Sequence, residues 1–157
     1  MKIKLVELES EMKAAFSLRI QVFVMEQSVP EDEELDALDS AALHAIAVVD
    51  EEVIGTGRLL THNPSYGQIG RMAVHKEWRR QNVGGQILLY LEKEALNRGI
   101  TQIRLNAQEY VKSFYSLHGY IEHGDLFLEA GISHIEMRKD MRSVSYTHLT
   151  LPTKRIV

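Results

Sequence analysis

Cysteine is absent from the 157 residues, proline occurs three times and tryptophan once. Without cysteine there is no disulfide, no thiolate metal site and no cysteine nucleophile, so the chemistry rests on other side chains and on the backbone. Nor is there an uninterrupted apolar run near the ~18 residues of a membrane span. Met1-Lys2-Ile3-Lys4 leads into alternating residues rather than the apolar core of a signal peptide. The expectation is a soluble cytoplasmic protein with no membrane partner. Positive charge is also scarce: 18 Lys and Arg stand against 22 Asp and Glu, a net charge of −4. Setting aside Arg142, Lys154 and Arg155 near the C-terminus takes it to −7. A nucleic-acid partner, whose phosphates call for a basic face, is therefore not expected. The seven histidines are scattered, with no His-Glu-x-x-His spacing, and no metal site is expected.

What remains is ordinary globular material, 45% apolar and 25% charged, enough for one core. A single domain over 1–141 is expected. Residues 142–157 carry no acidic residue and no clean period; they read as a non-native or read-through tail, or alternatively as a C-terminal arm.

Within the domain, Lys2 to Leu8 alternates as a half-buried strand does. From Ser10, a candidate N-cap, to about Phe23, apolar residues recur at helical spacing. Pro30 and the run Glu31-Asp32-Glu33-Glu34 interrupt that pattern, and 35–43 holds a short helix or an ordered loop. Leu43–Val49 and Val53–Leu60 form a hairpin about Asp50-Glu51-Glu52. A turn at 63–67 introduces a strand from Gln68 to Val74. Val83, Ile87, Leu88, Leu91, Ala95 and Leu96 mark one face of a helix ended by Arg98-Gly99. A strand over 100–107, a short helix over 110–117 closed by Gly119, and strands from Tyr120 and over 132–137 complete an α/β chain.

The unusual turn is Arg79-Arg80-Gln81-Asn82-Val83-Gly84-Gly85, where a strand passes into a helix. Unpaired N–H groups and the positive helix end meet there, a combination that binds phosphate. Gly84 and Gly85 permit close backbone approach, and Asn82 is one of the few residues at ease in the left-handed region. An ordinary helix entry with a solvated basic rim has the same spacing. A P-loop is excluded because Gln86 follows Gly84-Gly85, and a dinucleotide fingerprint because Leu60 stands where Gly55-Thr56-Gly57 would need its third glycine.

Arg79-x-x-Asn82-x-Gly84 resembles the Arg/Gln-x-x-Gly-x-Gly/Ala pyrophosphate loop of the GNAT acetyltransferases, with Asn82 in place of the first glycine. Gly70-Arg71-Met72-Ala73-Val74 before the loop and Ile87-Leu88 after it also fit, as do Leu105-Asn106-Ala107-Gln108 and Phe114-Tyr115-Ser116-Leu117-His118-Gly119-Tyr120. Arg19 to Pro30, with Glu34 and Asp36, and Phe127 to His134 are similar to the YjcF-like branch of small bacterial members. The resemblance spans about residues 1–140.

It implies a mixed, mostly antiparallel twisted sheet of about six to seven strands flanked by helices, with a splayed strand pair forming a coenzyme cleft. It implies acetyl-CoA as cosubstrate, held by Met72, Ala73 and Val74 on the strand edge, by the loop residues Arg79, Arg80, Gln81, Asn82, Val83, Gly84 and Gly85, and by Asn106 and Phe114. The Met72 N–H would polarise the thioester carbonyl. The reaction implied is N-acetyl transfer to a primary amine of a small molecule or peptide; a non-catalytic acyl-CoA-binding or regulatory module is the alternative. Tyr115 is the candidate acid for the departing thiolate. For the base, Glu26 and His134 are favoured over Glu109 and His44, and a water chain can replace all four. The acidic residues Glu31–Glu34, Asp36 and Asp39 either attract a cationic amine or form a solvated loop. Pairing with a second copy of the chain is a further implication, although no self-complementary patch is legible.

Overall fold

The computed structural model describes residues 1–142. A seven-stranded sheet carries β1 (Lys2–Leu5), β2 (Leu43–Val49), β3 (Glu52–Leu60), β4 (Gly67–Val74), β5 (Gln102–Gln108), β6 (Ile121–Glu129) and β7 (Ile132–Asp140) in the order β1-β2-β3-β4-β5-β7-β6. Every neighbouring pair is antiparallel except β4 and β5. The helices are α1 (Glu9–Arg19), α2 (Glu31–Glu34), α3 (Val83–Asn97) and α4 (Lys112–Leu117). Of the expected tail, residues 142–157, all but Arg142 lie outside the described residues.

The β2–β3 turn places Asp50 and Glu51 at positive φ (49° and 67°), the mirror-image turn whose twist matches a hairpin. The β6–β7 turn does the same with Ala130 and Gly131 (52° and 76°). Gly99, at φ 80°, ends α3 as Arg98-Gly99 indicates, and the Ile100 N–H closes back on Ala95 O at 2.9 Å.

Helix α1 departs from expectation at both ends. It begins at Glu9 rather than after Ser10, because Glu11 reaches back and accepts from the N–H groups of Glu7 (2.8 Å) and Leu8 (3.0 Å). The capping acceptor thus comes from the first turn and not from a serine at the cap. Past Arg19 the chain widens into a π-helix over Ile20–Glu26, a change of pitch that apolar spacing does not report.

Helix α3 supplies the main core on one face of the sheet. Ile87, Leu88, Leu91 and Ala95 pack fully buried against Ala45, Ala47, Leu59 and Ile103. Each large side chain so buried contributes about 1.5–3 kcal/mol relative to exposure. The helix lies close because β3 has glycine beneath it: a β-carbon on Gly57 would stand 2.6 Å from Met72 Sδ and 2.9 Å from Ile87 Cγ2. Two residues break the expected stripe. Leu96 is exposed, whereas Glu92 is buried on the apolar face, where Lys139 (2.8 and 3.0 Å) and the Tyr120 hydroxyl (2.7 Å) satisfy its carboxylate. The opposite face is covered by Leu18 and Val22 packing on Ala73.

Candidate functional site

The site arises where β4 and β5 separate. Gly57 alone faces two residues of β4, since Thr56 pairs with Ala73 and Arg58 with Gly70. The extra residue is absorbed at Arg71, whose φ is 54°. Such a bulge bends the strand that carries it. Pairing with β5 accordingly covers only Gly67–Ile69 against Ile103–Leu105, and beyond it Met72–Val74 and Asn106–Gln108 diverge. Between them opens a cleft of about 920 Å³. Its lining includes Met72, Ala73, Val74, Arg79, Arg80, Asn82, Val83, Gly84, Gly85, Asn106, Phe114, Tyr115 and His134.

At one end stands the start of α3. Asn82 takes φ 63°, ψ 23°, the left-handed conformation expected of it, and Arg80 is also left-handed at φ 65°. Two such reversals within three residues turn the chain sharply into the helix. The first bond of α3 runs from Gln86 N–H to Asn82 O (3.1 Å), so the N–H groups of Val83, Gly84 and Gly85 have no hydrogen-bond partner among the described residues. Three free donors at the positive end of a fifteen-residue helix make a seat for an anion. Arg80 has no ion pair among the described residues and adds charge there. Arg79 is already engaged: its Nε donates to Val74 O (2.9 Å) and its terminal nitrogen to Glu26 (2.8 Å). Gln81 turns back to Glu77 O at 3.2 Å and does not line the cleft.

Tyr115, from α4, forms part of the floor. Its ring meets those of Phe114 and Tyr120 edge-on, at 5.0 and 5.9 Å, and its hydroxyl has no hydrogen-bond partner among the described residues. Burial pushes the phenol up to about 12. The Tyr120–Glu92–Lys139 cluster braces the far side of this ring.

The four candidate bases part company. His134, on β7, is the only one in the cleft lining. Its Nδ1–H donates to Ile132 O at 2.7 Å, which fixes the tautomer and leaves the Nε2 lone pair free. Phe127 stacks on the ring at 5.9 Å. Glu26 stands outside the lining, against Arg79. Glu109 lies beyond the end of β5 and is likewise outside the lining. His44 is buried beside a separate cavity, bonded through Nε2 to Asp39 O at 2.9 Å, and burial holds its pKa down, so the ring is neutral.

The acidic run is neither wholly solvated nor wholly free. Arg19, fully buried, bonds Glu34 (2.8 Å) and Asp39 (2.8 Å); Arg58 bonds Asp36 (2.8 Å) and Asp39 (3.0 Å); Arg71 reaches Asp36 at 3.0 Å. Burial raises the Asp39 carboxyl, but the hydrogen bonds from Arg19 and then Arg58 outweigh it and hold the pKa below the ordinary value. The signal for this network is Arg19 itself, which falls four residues after Ala15 on the apolar stripe of α1, where a cation needs a carboxylate.

The family model for the acetyltransferase (GNAT) domain matches residues 8–141. The chain is 40% identical over 141 residues to the uncharacterized N-acetyltransferase YjcF of Bacillus subtilis (strain 168), covering 89% of this chain and 100% of that protein. It superposes on an acyl-CoA N-acyltransferase from Pseudomonas aeruginosa with a TM-score of 0.81 at 27% identity, covering 88% and 99% of the two chains. An aminoglycoside 6'-N-acetyltransferase complexed with coenzyme A shares the fold at a TM-score of 0.73 and 18% identity, over 90% and 97%.

Proposed function

The chain belongs to the acetyltransferase (GNAT) domain family, and on that premise we propose that it transfers an acetyl group from acetyl-CoA to a primary amine of a small molecule or peptide. The observation that carries this reading is the opening of the unpaired Val83, Gly84 and Gly85 donors into the same cleft as the Tyr115 hydroxyl. The donor set fits the group: N–H groups and the Arg80 guanidinium face where a pyrophosphate would lie. A β-carbon on Gly84 would meet nothing nearer than 3.6 Å, so the backbone there is open to close approach. Bound acetyl-CoA supplies the thioester as acyl donor.

The chain's own groups then divide the work. The strand edge Met72–Val74, unpaired toward β5, accepts an extended arm by main-chain bonding, and the Met72 N–H faces the carbonyl oxygen as charge develops on it. Arg79 braces the end of that edge through Val74 O while Glu26 holds its guanidinium. Tyr115, protonated throughout the physiological range, donates to the departing sulfur. His134, with a free Nε2 in the cleft, takes the proton from the attacking amine. Glu26, paired with Arg79 away from the lining, serves the loop and not the proton transfer. The test is thiol release: it should require acetyl-CoA and an amine together. Coenzyme binding with no release across a broad panel of amines and peptides would leave a binding module instead.

A further inference from the structure

On the β7 side of the same cleft, two hydrogen-bond acceptors face one another. The tautomer fixed by the Nδ1–H bond to Ile132 O leaves a lone pair on His134 Nε2. Glu129 Oε2 lies 3.8 Å from that nitrogen, too far for a hydrogen bond between them. Glu129's other oxygen accepts from Asn106 Nδ2 at 3.2 Å, which ties the carboxylate, 44% exposed, to the wall of the cleft. No lysine or arginine of the described residues pairs with Glu129. The imidazole is held on its own side by the Phe127 ring and is more than nine-tenths buried. Both residues line the cleft.

A carboxylate and the Nε2 of this imidazole, 3.8 Å apart, are spanned by one group that donates to both, carries positive charge and is small. A primary ammonium has that chemistry. We infer that Glu129 and His134 form the seat of the acceptor's ammonium group, and that the acceptor class is accordingly a cationic alkylamine rather than a weakly basic, neutral amine. This rests on the acetyl-transfer reading above and names its second substrate. Glu129 supplies the charge that draws and holds the ammonium; Asn106, which the family resemblance places against the coenzyme, also holds the carboxylate.

The step balances as follows. The seated ammonium gives one proton to His134 Nε2, and its nitrogen lone pair forms the C–N bond to the acetyl carbon. The C–S bond breaks with its electron pair on sulfur, which is protonated by Tyr115. The imidazolium returns its proton to solvent, and the proton lost by the amide product restores Tyr115.

The experiment compares wild type, Glu129→Gln and His134→Gln on a panel of alkylamines, benzylamine among them, and on aniline, which is neutral at pH 7. Each variant's folding is checked by thermal melting and its coenzyme A affinity by calorimetry. Glu129→Gln should raise KM for the alkylamines at least about ten-fold with kcat little changed, and leave aniline kinetics as they were. His134→Gln should lower kcat for the alkylamines by about a hundred-fold and affect aniline less. Equal losses on charged and neutral amines, or an unaltered KM in Glu129→Gln, would overturn the assignment. Calorimetry of the alkylammonium ions on the protein–coenzyme A complex reads the seat independently of turnover: binding should weaken at least about ten-fold in Glu129→Gln, and no binding to wild type, or equal binding to both, would overturn the seat. If no amine is acetylated but this binding difference holds, it is the transfer reading that fails.

Discussion

The carboxamide oxygen of Asn82 rests against the α-carbon of Gly85, in the space where any side chain on residue 85 would begin. Asn82 is left-handed and Gly85 is bare, and each condition serves the other: the reversed backbone swings the carboxamide over the first turn of α3, and only glycine leaves room for it. Gly84 is different, since a β-carbon there would make only ordinary contacts, 3.6 Å to Phe114 Cζ and 3.8 Å to Val74 Cγ2. One glycine accommodates its own chain, and the other leaves the approach to the helix start open.

Asn82→Gly should therefore keep coenzyme A affinity within about two-fold, because glycine takes the same φ without strain. Asn82→Val should weaken it about ten-fold, since a left-handed β-branched residue costs about 1–2 kcal/mol. Calorimetric titration with coenzyme A decides this. Equal affinity in both variants would separate the turn from the coenzyme.

Tyr115→Phe should lower kcat by about 10²-fold while leaving coenzyme A affinity unchanged. With the phenol pushed up to about 12 by burial, it remains protonated well above the ordinary value of 10.0. An acid with a raised pKa loses its proton only as pH rises through that raised value. The wild-type kcat should thus show no decline from Tyr115 between about pH 8 and pH 10. A fall centred near pH 10 that vanishes in Tyr115→Phe would contradict this.

Glu34→Gln should destabilise the fold by about 3 kcal/mol, measured as a shift in the urea midpoint. Arg19 is 1% exposed and would keep only Asp39 as an ionised partner. A loss below about 1 kcal/mol would mean that the network reorganises around a neutral amide.

Glu11 should govern part of the acid stability. Lys4 and then the Glu7 and Leu8 N–H groups hold its carboxyl at about 2, below 4.5. For a depressed carboxyl the stabilisation is complete above the unfolded value and is lost as pH falls through the folded one. Urea midpoints of wild type should therefore fall between pH 4.5 and about 2 more steeply than those of Glu11→Gln. Parallel curves would remove Glu11 from the account.

Much of this arrangement was legible from local chemistry. The left-handed Asn82 and the stop at Gly99 each follow from what one residue permits, and the polar run Asp50-Glu51-Glu52 marks the β2–β3 turn, but its mirror-image form and that of the β6–β7 turn put Glu51 and Ala130 at positive φ, which neither residue type signals. The limits came where partners are distant in the chain. Glu92 sits on an apolar stripe 47 residues before Lys139, and nothing local says that a lysine meets it. Asn106 and Glu129 are 23 residues apart and meet only because β7 inserts between β5 and β6. Glu26 lies 53 residues before Arg79, so its ion pair with the loop is visible only once the π-helix and the loop are brought together. The π-helix itself escapes notice because Ile20, Val22, Phe23, Val24 and Met25 make the segment apolar at nearly every position, so a change of pitch leaves no mark in the pattern.

The most direct measurement is a crystal structure with coenzyme A bound. The account predicts the pyrophosphate on the N–H groups of Val83, Gly84 and Gly85, the pantetheine arm along Met72–Val74, and the sulfur within hydrogen-bonding distance of the Tyr115 hydroxyl. A coenzyme seated elsewhere, or one whose sulfur lies far from Tyr115, would contradict it.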